Sequence, residues 1–305
     1  MDVSCIGDVN VDLITSQVSD YPARDTQIIL DDLRMSSGGC SANFAKAAAL
    51  LGLKTRLLGK AGKDLFGEFL RKNLTLMNLD LRLSQGDRTG ATVAITFRDG
   101  TRSFLTYSGA NSQLTLKDID LDMIEGRYLH VASFFLQGLQ GKTKKLLDDA
   151  HEKNMLTCFD TGFDPRDWSK KDVQLTRKVL ADVDIFFPNY AEAKAVSGMN
   201  GREEVCDYLL GLGPSIIALK MGPAGSYICT GKERVFTPAY KVKVVDSTGA
   251  GDVFGAAYVY GHSKGWDTKK IGRFANAAAA FKTKSFGSEK YPAVSDAMSL
   301  ACLTV

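Results

Sequence analysis

From residue 128 onward, short apolar runs alternate with longer amphipathic ones, and no other feature of the chain limits its fold as much. The runs at 128–133, 157–160, 185–188, 216–220 and 226–229 have the length and composition of strands. Between them, 142–153, 170–181, 190–197 and 203–212 carry apolar residues at helical spacing. Strands joined through helices pair in parallel, because a parallel crossover needs about a dozen residues. The helices then cover both faces of the sheet. Residues 3–7 and 54–59 read as earlier strands, and 44–51, ending at Gly52, and 64–76 as helices. The last quarter reads as three helices, at 252–263, 268–283 and 294–302. The expected architecture is a single α/β domain over residues 1–305, a mostly parallel sheet with helices on both sides.

Between residues 89 and 108 the character changes. Runs at 92–97 and 102–107 flank Arg98-Asp99-Gly100-Thr101. Asp-Gly between two β-rich runs predicts a hairpin. The segment 26–35 is expected to add strands to the same small sheet. Insertions at about 13–35 and 88–108 would thus build a β-sheet lid on the main domain.

Composition narrows the class. The chain has 305 residues, 45% of them hydrophobic and 24% charged, as in an ordinary globular enzyme. No run approaches the roughly 18 apolar residues of a membrane span. The acidic start, Met1-Asp2-Val3-Ser4, lacks the apolar core of a signal peptide. A net charge of +3 is too small to argue for nucleic acid. None of the six cysteines forms a C-x-x-C pair, which suggests idle thiols in a reducing, cytoplasmic setting. The three histidines, His130, His151 and His262, lack metal-like spacing and leave no His-based triad. Acid–base work then falls to carboxylates.

The segment Asp246-Ser247-Thr248-Gly249-Ala250-Gly251-Asp252 lies between a β-like run, Val242-Lys243-Val244-Val245, and an apolar helical run from Val253. A small-residue turn opening a helix leaves backbone N–H groups without intrahelical acceptors. The helix dipole adds partial positive charge there, so the turn suits an anion, phosphate above all. Asp252 places a carboxylate beside that anion. The two repel, so the site stores phosphate poorly. It suits a base that takes a proton from a hydroxyl while a phosphoryl group passes. The segment therefore predicts phosphoryl transfer to an alcohol, with Gly249, Ala250 and Gly251 as N–H donors and Asp252 as base. The competing reading is a plain turn whose acid complements the dipole.

Other phosphate motifs fail. Gly138-Leu139-Gln140-Gly141-Lys142-Thr143 lacks the first P-loop glycine, since position 136 is Leu136. The glycine spacing of Gly249, Gly251 and Gly255 is followed by helices, which is the wrong context for a nicotinamide enzyme. Asn10 and Asp12 alternate with apolar residues and would share one face of a strand end. Gly38 and Gly39 read as a turn before a helix that begins near Asn43.

Six stretches, in order, resemble the ribokinase-like (PfkB) family of carbohydrate and nucleoside kinases. They are Asn10-Val11-Asp12, Gly38-Gly39-Cys40-Ser41-Ala42-Asn43, Gly109-Ala110-Asn111, Pro188-Asn189-Tyr190-Ala191-Glu192, Lys220-Met221-Gly222-Pro223-Ala224-Gly225 and the Asp246 to Asp252 segment. The resemblance spans nearly the whole chain. It implies a three-layer α/β/α ribokinase-like fold with a lid, ATP as donor and Mg2+ as cofactor. It assigns Asp252 as base and places Asn10, Asp12, Gly38, Gly39 and Asn43 at the acceptor. Asn189 and Glu192 would stand near metal and phosphates, Glu192 directly or through water. Lys220, Gly222, Gly225 and Asn276 would border the nucleotide. Without the resemblance, Asn10 and Asp12 read as turn or cap residues, Asn189 and Glu192 as first-turn polarity, and 277–280 as tight helix packing.

The resemblance implies two further features. Asp246, Thr248 and Ser285-Phe286-Gly287-Ser288 would match the monovalent-cation site of some members, for K+. Lids in many relatives pair across a two-fold axis, which implies a homodimer. Cys40 stands where many ribokinases, and relatives acting on phosphorylated sugars, carry Lys. Cys40 weighs against both, and the expected acceptor is an unphosphorylated sugar or nucleoside. A sugar-binding sensor without catalysis is the reading from another class, and the intact base and glycine turn speak against it.

Overall fold

The structure, a computed structural model, describes all residues except 78, 100, 288, 289, 304 and 305. Its main sheet is nine-stranded: Arg234–Thr237 (β13), Ser226–Thr230 (β12), Ile216–Lys220 (β11), Ile185–Phe186 (β10), Leu156–Phe159 (β9), Tyr128–Val131 (β8), Val3–Ile6 (β1), Thr55–Gly62 (β4) and Asp80–Gly86 (β5), in that spatial order. From β11 to β5 every pairing is parallel, and β12 and β13 close one edge antiparallel.

Period-two alternation divides the core between the two faces of the sheet. Cys5, Cys158, Ile185 and Ala218 point to one side and Ile6, Phe159, Phe186 and Ile217 to the other. The first side is covered by α1 (Cys40–Leu50), α2 (Leu65–Thr75), α7 (Ala250–Ser263), α8 (Thr268–Lys282) and α9 (Val294–Leu300). The second is covered by α3 (Thr143–Glu152), α4 (Lys170–Leu180), α5 (Tyr190–Ser197) and α6 (Arg202–Leu210). Buried alanines, among them Ala45, Ala48, Ala256, Ala257, Ala277 and Ala278, let α1, α7 and α8 approach closely. Phe44, Phe187 and Tyr258 fill the layer between, each contributing roughly 2–3 kcal/mol by leaving water.

A second, four-stranded sheet has the order β3 (Leu33–Gly38), β2 (Asn10–Thr15), β6 (Gly90–Thr96) and β7 (Arg102–Tyr107). β2 and β6 are parallel, and the flanking pairs are antiparallel. In the β6–β7 turn the Asp99 carboxylate accepts from the Thr101 N–H at 2.8 Å and its hydroxyl at 2.6 Å. Gly100 of the expected hairpin lies outside the described residues.

The structure differs from expectation at three places. β1 stops at Ile6, because Gly7 (φ 151°) turns the chain, and Asn10 opens a strand of the small sheet. Of 26–35, only the part from Leu33 enters a strand. The run at 242–245 is not a strand: its neighbours are solvent and the end of α8, where the Thr283 carbonyl accepts from the N–H groups of Val245 and Asp246. Among the described residues, no helix is long and apolar enough to cross a membrane.

Candidate active site

Asp252 sits in the first turn of α7, behind a turn that only glycine adopts easily. Gly249 caps the helix with φ 76°, where a side chain would strain the backbone. Its carbonyl accepts from the Val253 N–H at 3.0 Å, while the Ala250 N–H turns back to the Ser247 carbonyl at 3.2 Å. Among the described residues, no acceptor meets the N–H groups of Gly249, Gly251 or Asp252. Three donors thus remain at the positive end of the helix. Ala250, one of the three donors expected, is turned into the loop, and the Asp252 N–H stands in its place.

The charges around this turn come from two strand ends and the first turn of α5. A Cβ on Gly251 would lie 3.4 Å from the Lys220 ammonium, so the last residue of β11 flanks the turn. Lys220 Nζ lies 2.5 Å from Asp160 Oδ2, just beyond β9. Burial works against the Lys220 charge, but Asp160 and Glu192 outweigh it and hold its pKa up. Asp252 is pushed up to about 7, first by burial and then by the charge of Asp160, with Lys220 and the Asn43 hydrogen bond pulling the other way. Asn43, in the first turn of α1, donates from Nδ2 to Asp252 Oδ2 at 3.0 Å and accepts from the Tyr291 hydroxyl at 3.0 Å. Asn43 therefore orients the Asp252 carboxylate.

Asn10 and Asp12 lie on one face of β2, both buried. Asn10 Oδ1 accepts from Asn111 Nδ2 at 2.7 Å, and Asn111 Oδ1 accepts from the Val9 N–H at 2.9 Å. Asp12 is held above the usual carboxylate range by burial, against the nearby Lys46 charge. Gly38 pairs with Asn10 across the sheet, and a Cβ there would lie 2.0 Å from Asp12 Oδ2. Gly39, with φ 96°, leaves room for Asp8, whose carboxylate caps α1 through the Ser41 N–H at 3.1 Å. The paired glycines therefore make space for two acids.

Asn189 and Glu192 form a capping box on α5. Glu192 Oε2 accepts from the Asn189 N–H at 2.7 Å, and Asn189 Oδ1 from the Glu192 N–H at 2.9 Å. Burial, then the Asp160 charge, raises the Glu192 pKa. Gly222 and Gly225 bracket a 3-10 turn between β11 and β12, at φ 55° and 109°. Asn276 donates from Nδ2 to the carbonyls of Thr237 and Pro238 at 2.9 and 3.1 Å, fixing the exit of β13. Asp246 Oδ1 accepts from the Thr248 N–H at 2.9 Å and from Arg102 Nη1 at 3.1 Å, and its Oδ2 from the Gly287 N–H at 2.9 Å. Ser288 of that loop lies outside the described residues. Cavities of about 520 and 500 Å3 open beside the lid, and neither is lined by Asp252.

Residues 1–293 match the pfkB family carbohydrate kinase profile. The chain belongs to the pfkB family of carbohydrate kinases. It is 25% identical over 293 residues to an ATP-dependent 6-phosphofructokinase of Thermoanaerobacterium thermosaccharolyticum, covering 94% of this chain and 89% of that one. It is 26% identical over 291 residues to a nucleoside kinase of Methanocaldococcus jannaschii, covering 94% and 92%. Its fold superposes with a TM-score of 0.88, at 22% identity and 98% coverage of both chains, on an Escherichia coli protein solved in complex with ATP and Mg2+. Membership supports a phosphotransferase, and both sugar and nucleoside kinases are among the relatives.

Sequence reasoning about this pfkB chain passed over Asp8 and Asp160 and could not place Arg102. The first two were readable in principle: each is an acid just past the C-terminal end of a central parallel strand, where open α/β sheets collect ligands. Arg102 lies in a lid strand and carries no local signal.

Proposed function

We propose that the chain transfers the γ-phosphoryl group of ATP to a hydroxyl of a small, unphosphorylated sugar or sugar-like acceptor. One observation carries this reading: a carboxylate poised near neutrality, Asp252, beside three N–H donors without acceptors at a helix start. In the reaction Asp252 Oδ1 or Oδ2 takes the acceptor's proton as its oxygen approaches phosphorus, and Asn43 holds the carboxylate in place. The N–H groups of Gly249, Gly251 and Asp252 stabilise the charge spreading over the phosphoryl oxygens. Lys220 offsets the same charge from the β11 side. Asn10 and Asp12 bind acceptor hydroxyls, and Gly38 and Gly39 let the acceptor approach the backbone.

Mg2+ suits this chemistry. Three acids, Asp160, Glu192 and Asp252, crowd one lysine; burial, then the Asp160 charge, raises Glu192 and Asp252, and a cation beside them would ease that like-charge crowding. Among the described residues no three acids, histidines or cysteines group closely enough to hold a bare ion. That fits a metal bound mainly by phosphate and water. Glu192, whose carboxylate is already engaged by Asn189, would hold it through water, and the ion would supply positive charge against the phosphates. On the nucleotide side stand Asn189 and the Gly222 to Gly225 turn, with Asn276 fixing the wall behind them.

An ADP-release assay over sugars and nucleosides, with Asp252→Asn as control, tests the reading. A sugar that stimulates turnover far above the control supports it. A nucleoside as the only stimulant moves the acceptor to the nucleoside class. No stimulation by any acceptor would favour a silent sensor.

The lid face opposite Asp12 exposes Leu33, Met35, Leu105 and Tyr107. This supports pairing of two lids across a two-fold axis.

A further inference from the structure

Arg102 opens β7 at the tip of the lid hairpin and shares the inward lid face with Asp12. Its side chain leaves the lid. Nη1 donates to Asp246 Oδ1 at 3.1 Å and to the Thr248 hydroxyl, and Nη2 donates to Ser247 Oγ at 2.7 Å. The Thr248 hydroxyl in turn donates to Asp246 Oδ1 at 2.7 Å. The three residues that lead into Gly249 thus hang on one guanidinium carried by the lid. A guanidinium can engage several oxygens at once, which an ammonium does less well. The Arg102 side chain is 21% exposed and that of Asp246 is 4%.

This arrangement does not fit a monovalent cation at Asp246. One carboxylate oxygen already faces the guanidinium, and the other faces the Gly287 N–H. We propose that Arg102 is a positioning residue: with the lid down, its guanidinium takes the place of a monovalent cation at Asp246. There it holds the Ser247-Thr248 turn so that the Gly249 and Gly251 N–H groups face outward. The proposal rests on the phosphotransfer reading for the identity of the anion, and on geometry alone for the exchange of guanidinium for cation. Lid docking and the order of the anion turn are then one event, and the protein needs no added K+.

The test compares the full chain with Arg102→Met and Arg102→Lys in KCl, NaCl and choline chloride at equal ionic strength. The readouts are melting temperature and amide hydrogen exchange in β7 and at Thr248, Ala250 and Val253, the turn residues whose N–H groups are bonded. The wild type should melt at the same temperature in all three salts. In choline, Arg102→Met should exchange about tenfold faster at Thr248, Ala250 and Val253, and KCl should restore much of that protection. Arg102→Lys should show the same K+-specific recovery at smaller amplitude, and it carries the test if the Met variant fails to fold. Three results would overturn the proposal: a K+-specific stabilisation of the wild type, unchanged exchange in Arg102→Met, or lost protection that K+ does not restore in either variant. None of these readouts requires turnover, so a failure to find an acceptor would count against the kinase reading alone.

Discussion

Replacing Asp252 by Asn should cost catalysis and strengthen the fold. The carboxyl moves from its usual 3.8 to about 7 in the folded chain. At about 1.36 kcal/mol per tenfold change in proton affinity, ionising it there costs at most about 4 kcal/mol of stability. Asp252 is partly open to the cleft, and water offsets some of that cost, leaving roughly 1–2 kcal/mol. The sign follows from linkage. Between pH 3.8 and about 7 the folded state binds a proton that the unfolded state has released, so stability falls as pH rises through that window. Asn does not titrate and can still accept from Asn43. The variant should therefore match the wild type near pH 4, pull ahead as pH rises, and hold a constant lead above about pH 7. For a chain of this length the lead corresponds to a melting temperature higher by roughly 2–4 °C. Paired thermal melts across pH measure it, and the ADP-release assay should show turnover down by about 100- to 10,000-fold. A variant no more stable than the wild type at pH 8, or a lead independent of pH, would refute a strained, buried carboxylate at this position.

Other changes separate the parts of the site. Gly251→Ala puts a methyl in ordinary contact with Lys220, 3.4 Å away, so the fold should hold or gain about 0.5 kcal/mol while kcat falls about tenfold or more. Such a split, read by melting and steady-state kinetics, would be absent if the turn were only structural. Asp160→Asn removes the largest charge that raises Asp252, so the acid limb of the kcat/KM profile should move to lower pH; an unmoved limb would separate Asp160 from the base. Gly38→Ala drives a Cβ into the Asp12 carboxylate, and acceptor kcat/KM should drop roughly 10- to 100-fold with the KM for ATP little changed. Leu105→Glu on the outer lid face should shift sedimentation from dimer to monomer at constant secondary structure; a wild type that sediments as a monomer would contradict lid pairing.

The fold was legible where one pattern had one physical meaning. Alternating strand and helix signals from 128 onward placed the parallel sheet, because buried parallel strands and their crossover helices leave few other solutions. The pattern was silent where tertiary neighbours decide. Val242-Lys243-Val244-Val245 has strand composition, yet no strand edge lies beside it and its last N–H serves the end of α8. Asn10 and Asp12 belong to the lid because Gly7 turns the chain, which strand propensity does not encode. The glycine turn before Asp252 was readable because helix starts and anions share a local physics. The charge balance was not, since Asp160 and Lys220 reach Asp252 from separate strand ends and Glu192 from the first turn of α5. Arg102 reaches Asp246 across 144 residues, a pairing that no local spacing announces.

The central claim is that Asp252 meets an acceptor hydroxyl at the mouth of the amide turn. A crystal structure with Mg2+, a non-hydrolysable ATP analogue and the acceptor chosen by the panel measures it directly. The acceptor oxygen should lie about 2.6–3.2 Å from an Asp252 carboxylate oxygen, with the γ-phosphate facing the Gly249 and Gly251 N–H groups. An acceptor bound with no hydroxyl near Asp252, or phosphates held away from that turn, would contradict the account.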